Sequence, residues 1–96
     1  MWVLITYDVS THSAAGRNRL RRVAQTCKSY GQRVQKSVFE CTVSDTTFER
    51  MKARLVKIIN AEQDSIRFYK LPGQREKLVE EFGAGEIVDF EGPLVV

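Results

Sequence analysis

Residues 33–43 read RVQKSVFECTV, and the fold turns on whether they make one strand or two. The run is rich in β-branched and aromatic residues, the composition of a strand. A two-residue hairpin within it would ordinarily carry Gly, Asn or Asp at the turn. Lys36 and Ser37 supply none of these. As one strand, the run gives the element order β-α-β-α-β-β. Divided near Lys36 or Ser37, it gives β-α-β-β-α-β, the split βαβ arrangement. The residue pattern favours one strand and leaves both topologies open.

On the N-terminal side, a first strand is expected from Trp2 to Asp8 or Val9, its apolar run ending in a carboxylate. A helix is expected over residues 14–30, where Leu20, Val23, Ala24, Cys27 and Tyr30 step by three and four along one face. Gly31 follows as its C-terminal cap. On the C-terminal side, residues 44–60 form a second helix with Phe48, Met51, Leu55, Ile58 and Ile59 as its apolar stripe. Thr46 with Glu49 fits a capping box, and Asp45 is the rival cap. DSIRFYKL at 64–71 reads as a strand broken by Pro72-Gly73. EKLVEEF at 76–82 is expected as a further strand, with a short helix as the alternative, and IVDF and PLVV near the end look extended.

At 96 residues, 43% hydrophobic and 28% charged, the chain is one globular domain with no linker or repeat. No apolar run approaches the roughly 20 residues that span a bilayer, and Met1-Trp2-Val3 lacks a basic leader. A cytoplasmic protein without membrane partners is expected. Cys27 and Cys41 match no zinc or redox spacing, so both read as small buried apolar residues. The net charge is +3, and its distribution matters more than its size. Arg17, Arg19, Arg21 and Arg22 fall within six residues, while the end of the chain is acidic. This asymmetry points to a nucleic-acid surface on one side; the alternative is a merely solvated helix face.

In the first strand Val3, Ile5, Tyr7 and Val9 share one face and Trp2, Leu4, Thr6 and Asp8 the other. Both faces are largely apolar, so both need cover. Two crossover helices cover one. The other calls for a second copy of the chain, with Asp8 near a twofold axis where it meets its twin. Two bare carboxylates about 4 Å apart repel by roughly 4 kcal/mol at an effective dielectric near 20. A shared proton or a divalent cation relieves that, and Mg²⁺ takes few protein carboxylates and keeps several waters. The competing role for Asp8 is to organise the turn into the next helix. His12, in a polar loop, reads as solvent-facing.

ITYDVS at 5–10, GRNRLRR at 16–22, GQRVQKSVFEC at 31–41 and EGPLVV at 91–96 together resemble the small CRISPR-associated adaptation protein family, the second of the Cas series. The tail and GQRVQ are most similar to members accompanying subtype I-C systems. The resemblance implies a ferredoxin-like βαββαβ fold over residues 1–85. It also implies a homodimer packed sheet face to sheet face, and a C-terminal strand segment at 86–96 reaching the partner protomer. It implies that Asp8 is the catalytic carboxylate and the Mg²⁺ ligand. Arg17 and Arg19 align with family arginines after the first strand, while Arg33, Gln35, Ser37 and Phe39 map onto a family stretch. Arg17, Arg19, Arg33 and Lys36 are the expected nucleic-acid contacts, with Ser37 and Phe39 supporting the dimer and the fold. Family members are metal-dependent endonucleases on single-stranded RNA or double-stranded DNA, and also serve with the CRISPR integrase in spacer acquisition. The rival classes are a ribonuclease toxin of the virulence-associated type, a non-catalytic DNA scaffold, an RNA-recognition module and a small-molecule regulatory domain. Of these, the RNA-recognition module lacks its stacking motif here.

Overall fold

The run at 33–43 is two strands. In a computed structural model describing residues 1–83, β1 spans Trp2–Asp8, α1 Ala14–Tyr30, β2 Gln32–Gln35, β3 Val38–Thr42, α2 Asp45–Ile58 and β4 Ser65–Leu71. A single helical turn, α3, follows at Arg75–Leu78. The four strands form one antiparallel sheet in the order β2-β3-β1-β4, the ferredoxin-like βαββαβ arrangement. The expectation of one unbroken strand over 33–43 is therefore corrected. Lys36 and Ser37 make the turn, and the pairing steps from Arg33 opposite Phe39 to Gln35 opposite Val38. The extra residue, Val34, is absorbed as a bulge, which twists the hairpin locally. No non-glycine residue among those described has a positive φ, so the hairpin closes without the left-handed turn that Gly or Asn would signal. Tyr7 N–H then donates to Ser37 C=O at 3.2 Å, tying the turn to β1.

The alternation expected for β1 holds. Val3, Ile5, Tyr7 and Val9 are buried under the helices with Phe39 and Cys41 of β3, Val23 and Cys27 of α1, and Phe48, Met51 and Leu55 of α2. Phe48 meets Phe68 of β4 edge to face at 5.6 Å. Both cysteines are buried free thiols, and burial pushes Cys27 up to about 12, so neither offers a thiolate for chemistry. No helix among the described residues is long and apolar enough to cross a membrane.

Two helix boundaries carry specific chemistry. The cap of α2 is Ser44, whose Oγ accepts from Thr47 N–H at 3.1 Å. The expected Thr46–Glu49 box does not form, because Asp45 and Thr46 already lie inside the helix. Gly31 does close α1, donating to Cys27 C=O at 2.9 Å. Its backbone is extended; glycine is needed because a Cβ there would stand 2.3 Å from Glu40 O and 2.6 Å from Cys41 Cβ.

Among the described residues, no helix layer covers the far side of the sheet. Leu4 pairs with Glu40 and Tyr69, Thr6 with Val38 and Arg67, and Asp8 with Ser65, so these side chains share the open face with Trp2. Beyond Pro72-Gly73, the Arg75 guanidinium pairs with the Glu40 carboxylate and, at 2.9 Å, with Glu81. The strand expected at 76–82 is instead the one turn of α3 followed by irregular chain. Leu78 and Phe82, four residues apart, remain 54% and 87% exposed, outside the four described strands. The expected segments at 86–96 lie outside the described residues.

Candidate nucleic-acid interface

Asp8 ends β1 exposed, opposite Ser65. The turn that follows is organised by a different carboxylate. Asp64, in the loop entering β4, accepts from Ser10 N–H at 3.0 Å, from Asn60 N–H at 2.8 Å, and from Arg19 Nε and Nη2 at 2.8 and 3.3 Å. The Arg19 hydrogen bond, supported by the two backbone N–H groups and against the cost of burial, holds Asp64 down at about 2. Gly16 completes the clamp: a Cβ there would lie 2.1 Å from Ser10 O, so α1 starts directly against the end of β1. Ser13 caps that helix, its Oγ accepting from Gly16 N–H at 3.0 Å. The turn-organising role weighed for Asp8 thus belongs to Asp64 and Ser13. That leaves the Asp8 carboxylate exposed on the open face.

The arginine run fans out around α1. Arg19 turns inward to Asp64 and reaches Gln63 Oε1 at 3.2 Å. Its guanidinium is committed to the fold, unlike the exposed phosphate contact expected for it. Arg17 and Arg21, one turn apart, line a cleft of about 540 Å³ together with Arg33 of β2 and Lys36 and Ser37 of the β2–β3 turn. Tyr7, the neighbour of Asp8, lines the same cleft. Arg17 donates to Thr11 C=O at 3.2 Å, and the Arg33 guanidinium stands 5.0 Å over the Phe39 ring. Three of the four expected cationic contacts therefore converge from separate elements, and Arg21 joins them. Arg21 was legible in principle, standing four residues after Arg17 on a helix. Asp64 was hard to find in the sequence, because only Asn60 among its partners is local, while Arg19 and Ser10 are 45 and 54 residues away. Phe39 is fully buried beneath the helices, so it supports the core and not a contact through the open face.

For a divalent cation the donor set is sparse but suitable. No group of three or more His, Cys, Asp and Glu side chains gathers among the described residues. The exposed Asp8 carboxylate, a single hard oxygen donor, suits Mg²⁺, which keeps most of its waters, better than the closed four-ligand sites of zinc.

Residues 1–78 match the family model described as CRISPR associated protein Cas2. The chain is 52% identical over 96 residues to CRISPR-associated endoribonuclease Cas2 1 of Moorella thermoacetica, covering 100% of both. It is 50% identical over 95 residues to CRISPR-associated endonuclease Cas2 of Halalkalibacterium halodurans, covering 99% of each. Among solved structures it is similar to Streptococcus pyogenes Cas2 crystallised at pH 6.5, at 54% identity and a TM-score of 0.76, covering 86% of this chain and 100% of that one. It is also similar to the hypothetical protein TT1823 from Thermus thermophilus, at 32% identity and a TM-score of 0.72, covering 90% and 94%. With the βαββαβ sheet, the exposed aspartate at the end of β1 and the cationic cleft of Arg17, Arg21, Arg33 and Lys36, these matches establish that the chain belongs to the Cas2 family of CRISPR adaptation proteins.

Proposed function

We propose that the protein acts in spacer acquisition as a homodimer that binds nucleic-acid backbone and hydrolyses phosphodiester bonds with Mg²⁺. The convergence of Arg17, Arg21, Arg33 and Lys36 in one cleft, with Tyr7 in its lining and the exposed Asp8 next in β1 on the opposite sheet face, carries this reading. Such cations grip phosphates without reading sequence, fixing the position of the strand and making affinity strongly salt-dependent. Asp8 holds the cation. When bound, the cation supplies Lewis-acid polarisation of the phosphoryl group and a more acidic water. Arg17 and Lys36 hold the nucleic-acid backbone in the cleft, while Arg19 and Asp64 keep the end of β1 in place.

The uncovered face of β1, β3 and β4 supports a twofold dimer, which brings a second Asp8 to the site and supplies the carboxylate that one protomer lacks. The integrase of the adaptation complex is the protein partner, and the I-C subtype rests on the likeness of GQRVQ and the tail. Two free thiols fit work in the cytoplasm. The names of the relatives, endoribonuclease and endonuclease, support nuclease activity, the first of them on RNA. Incubation of labelled single-stranded RNA and duplex DNA with Mg²⁺ or with chelator tests the reading. Metal-dependent cleavage, weakened in Arg17→Gln/Lys36→Gln chiefly through substrate affinity, is expected. Binding without cleavage in any metal leaves the scaffold role, in which the same cations act and Asp8 does no chemistry.

A further inference from the structure

Arg22 is the member of the arginine run that neither lines the cleft nor meets Asp64. It shares a stripe of α1 with Gln25, Thr26 and Ser29, at the helical spacing i, i+3, i+4, i+7. Facing this stripe, α2 presents Arg54 and Lys57 across an open groove of about 600 Å³. Tyr30 holds Arg54 in place, its hydroxyl accepting from Nη1 at 3.1 Å and its ring lying 5.5 Å from the guanidinium. No carboxylate among the described residues lines the groove, and Ile58 is the one apolar side chain there.

We propose that this groove is a second track for nucleic-acid backbone, separate from the cleft of Arg17 and Lys36. The proposal rests on the reading of the protein as a nucleic-acid binder. Phosphates are held by charged and polar donors set along a channel, and the groove offers three cations and the Gln25 amide, the Ser29 hydroxyl being donated to Thr26 C=O at 2.7 Å. A protein partner would instead seek aromatic or apolar anchors at the centre of its contact, where Lys is depleted. From Arg22 to Ser29 the stripe rises about 10 Å, the length of about three base-pair steps. The groove lies on the helix layer, opposite the open sheet face. A dimer closed through its sheets leaves both copies pointing outward.

The test uses the full chain with mixed-sequence duplex DNA as probe, measuring Kd across a salt series. Wild type, Arg22→Gln/Lys57→Gln and Arg17→Gln/Lys36→Gln are compared. Each phosphate contact contributes about 0.9 to the slope of log K against log salt. The groove variant is therefore expected to lose about 1 to 2 from that slope and roughly tenfold in affinity at low salt. Arg22→Lys/Lys57→Arg should retain both. Glutamine is a good helix former, so the unfolding temperature should stay within about 4 °C of wild type. A loss confined to the cleft variant overturns the second track and leaves the cleft standing. A loss confined to the groove variant does the reverse. No loss in either contradicts both, and an equal loss in the Lys/Arg swap overturns the charge-based account of the groove.

Discussion

Arg19 and Asp64 form a two-pronged ion pair, Nε to Oδ2 at 2.8 Å and Nη2 to Oδ1 at 3.3 Å, that joins α1 to the loop entering β4. The Asp64 side chain has no exposed surface, and its remaining capacity goes to the backbone N–H groups of Ser10 and Asn60. Removing one member of a buried pair strands the other, at a cost of about 3–5 kcal/mol. Asp64→Ala should therefore destabilise the protein by about 3 kcal/mol in urea unfolding, although Asp64 touches no substrate. A loss under about 0.5 kcal/mol, typical of a surface site, would contradict its role as the clamp behind Asp8.

The same pair sets a pH dependence. Arg19 holds the folded Asp64 at about 2, below its ordinary 3.8. A depressed carboxylate contributes stability that is complete above its unfolded value and lost as pH falls through its folded value. The stability difference between wild type and Asp64→Asn should thus be constant above about pH 5 and shrink between pH 4 and 2. Thermal unfolding across that range checks it; a difference that stays constant down to pH 2 would refute the assignment.

Gly16→Ala offers a test in which local propensity and packing oppose each other. Alanine in a helix is favoured over glycine by about 1 kcal/mol. Its methyl, however, would meet the Ser10 carbonyl at 2.1 Å, and this neighbour is backbone. The clash should win, with a net loss of about 2 kcal/mol. A stabilised variant would mean that α1 can shift away from β1 freely.

Tyr69 stands on the open sheet face, 40% exposed, its hydroxyl bonded to Arg67 at 3.0 Å. If a second copy covers that face, Tyr69→Asp places a charge in the contact and should convert dimer to monomer in sedimentation while leaving the helical circular dichroism unchanged. Unaltered dimerisation would move the interface elsewhere.

How much of this was legible in the sequence differs by element. The two faces of β1 follow from strict alternation, and α1 and α2 from their apolar stripes, because both signals are local and periodic. The β2–β3 hairpin was hidden, since its turn is closed by a bulge at Val34 and not by Gly or Asn. The family likeness, and not the turn chemistry, led to βαββαβ. Arg17, Arg33 and Lys36 were recognised one by one, but their meeting in a cleft depends on the crossing of α1 with the hairpin. Asp64 looked like one polar residue in the loop AEQD. Beyond the local bond from Asn60 N–H, its importance lies in contacts with Arg19 and Ser10, distant in the chain.

The most direct test of the central claim is cleavage by Asp8→Asn. Asp8 is exposed and its carboxylate is not used by the fold, so the variant should match wild type in stability within about 0.5 kcal/mol and keep its dimer and its duplex affinity. Single-stranded RNA and duplex DNA are incubated with each protein over a Mg²⁺ titration. Loss of all metal-dependent cleavage in the variant, with wild type active and silenced by chelator, is the predicted result. Cleavage by Asp8→Asn at the wild-type rate and with the same Mg²⁺ dependence would remove Asp8 from the chemistry.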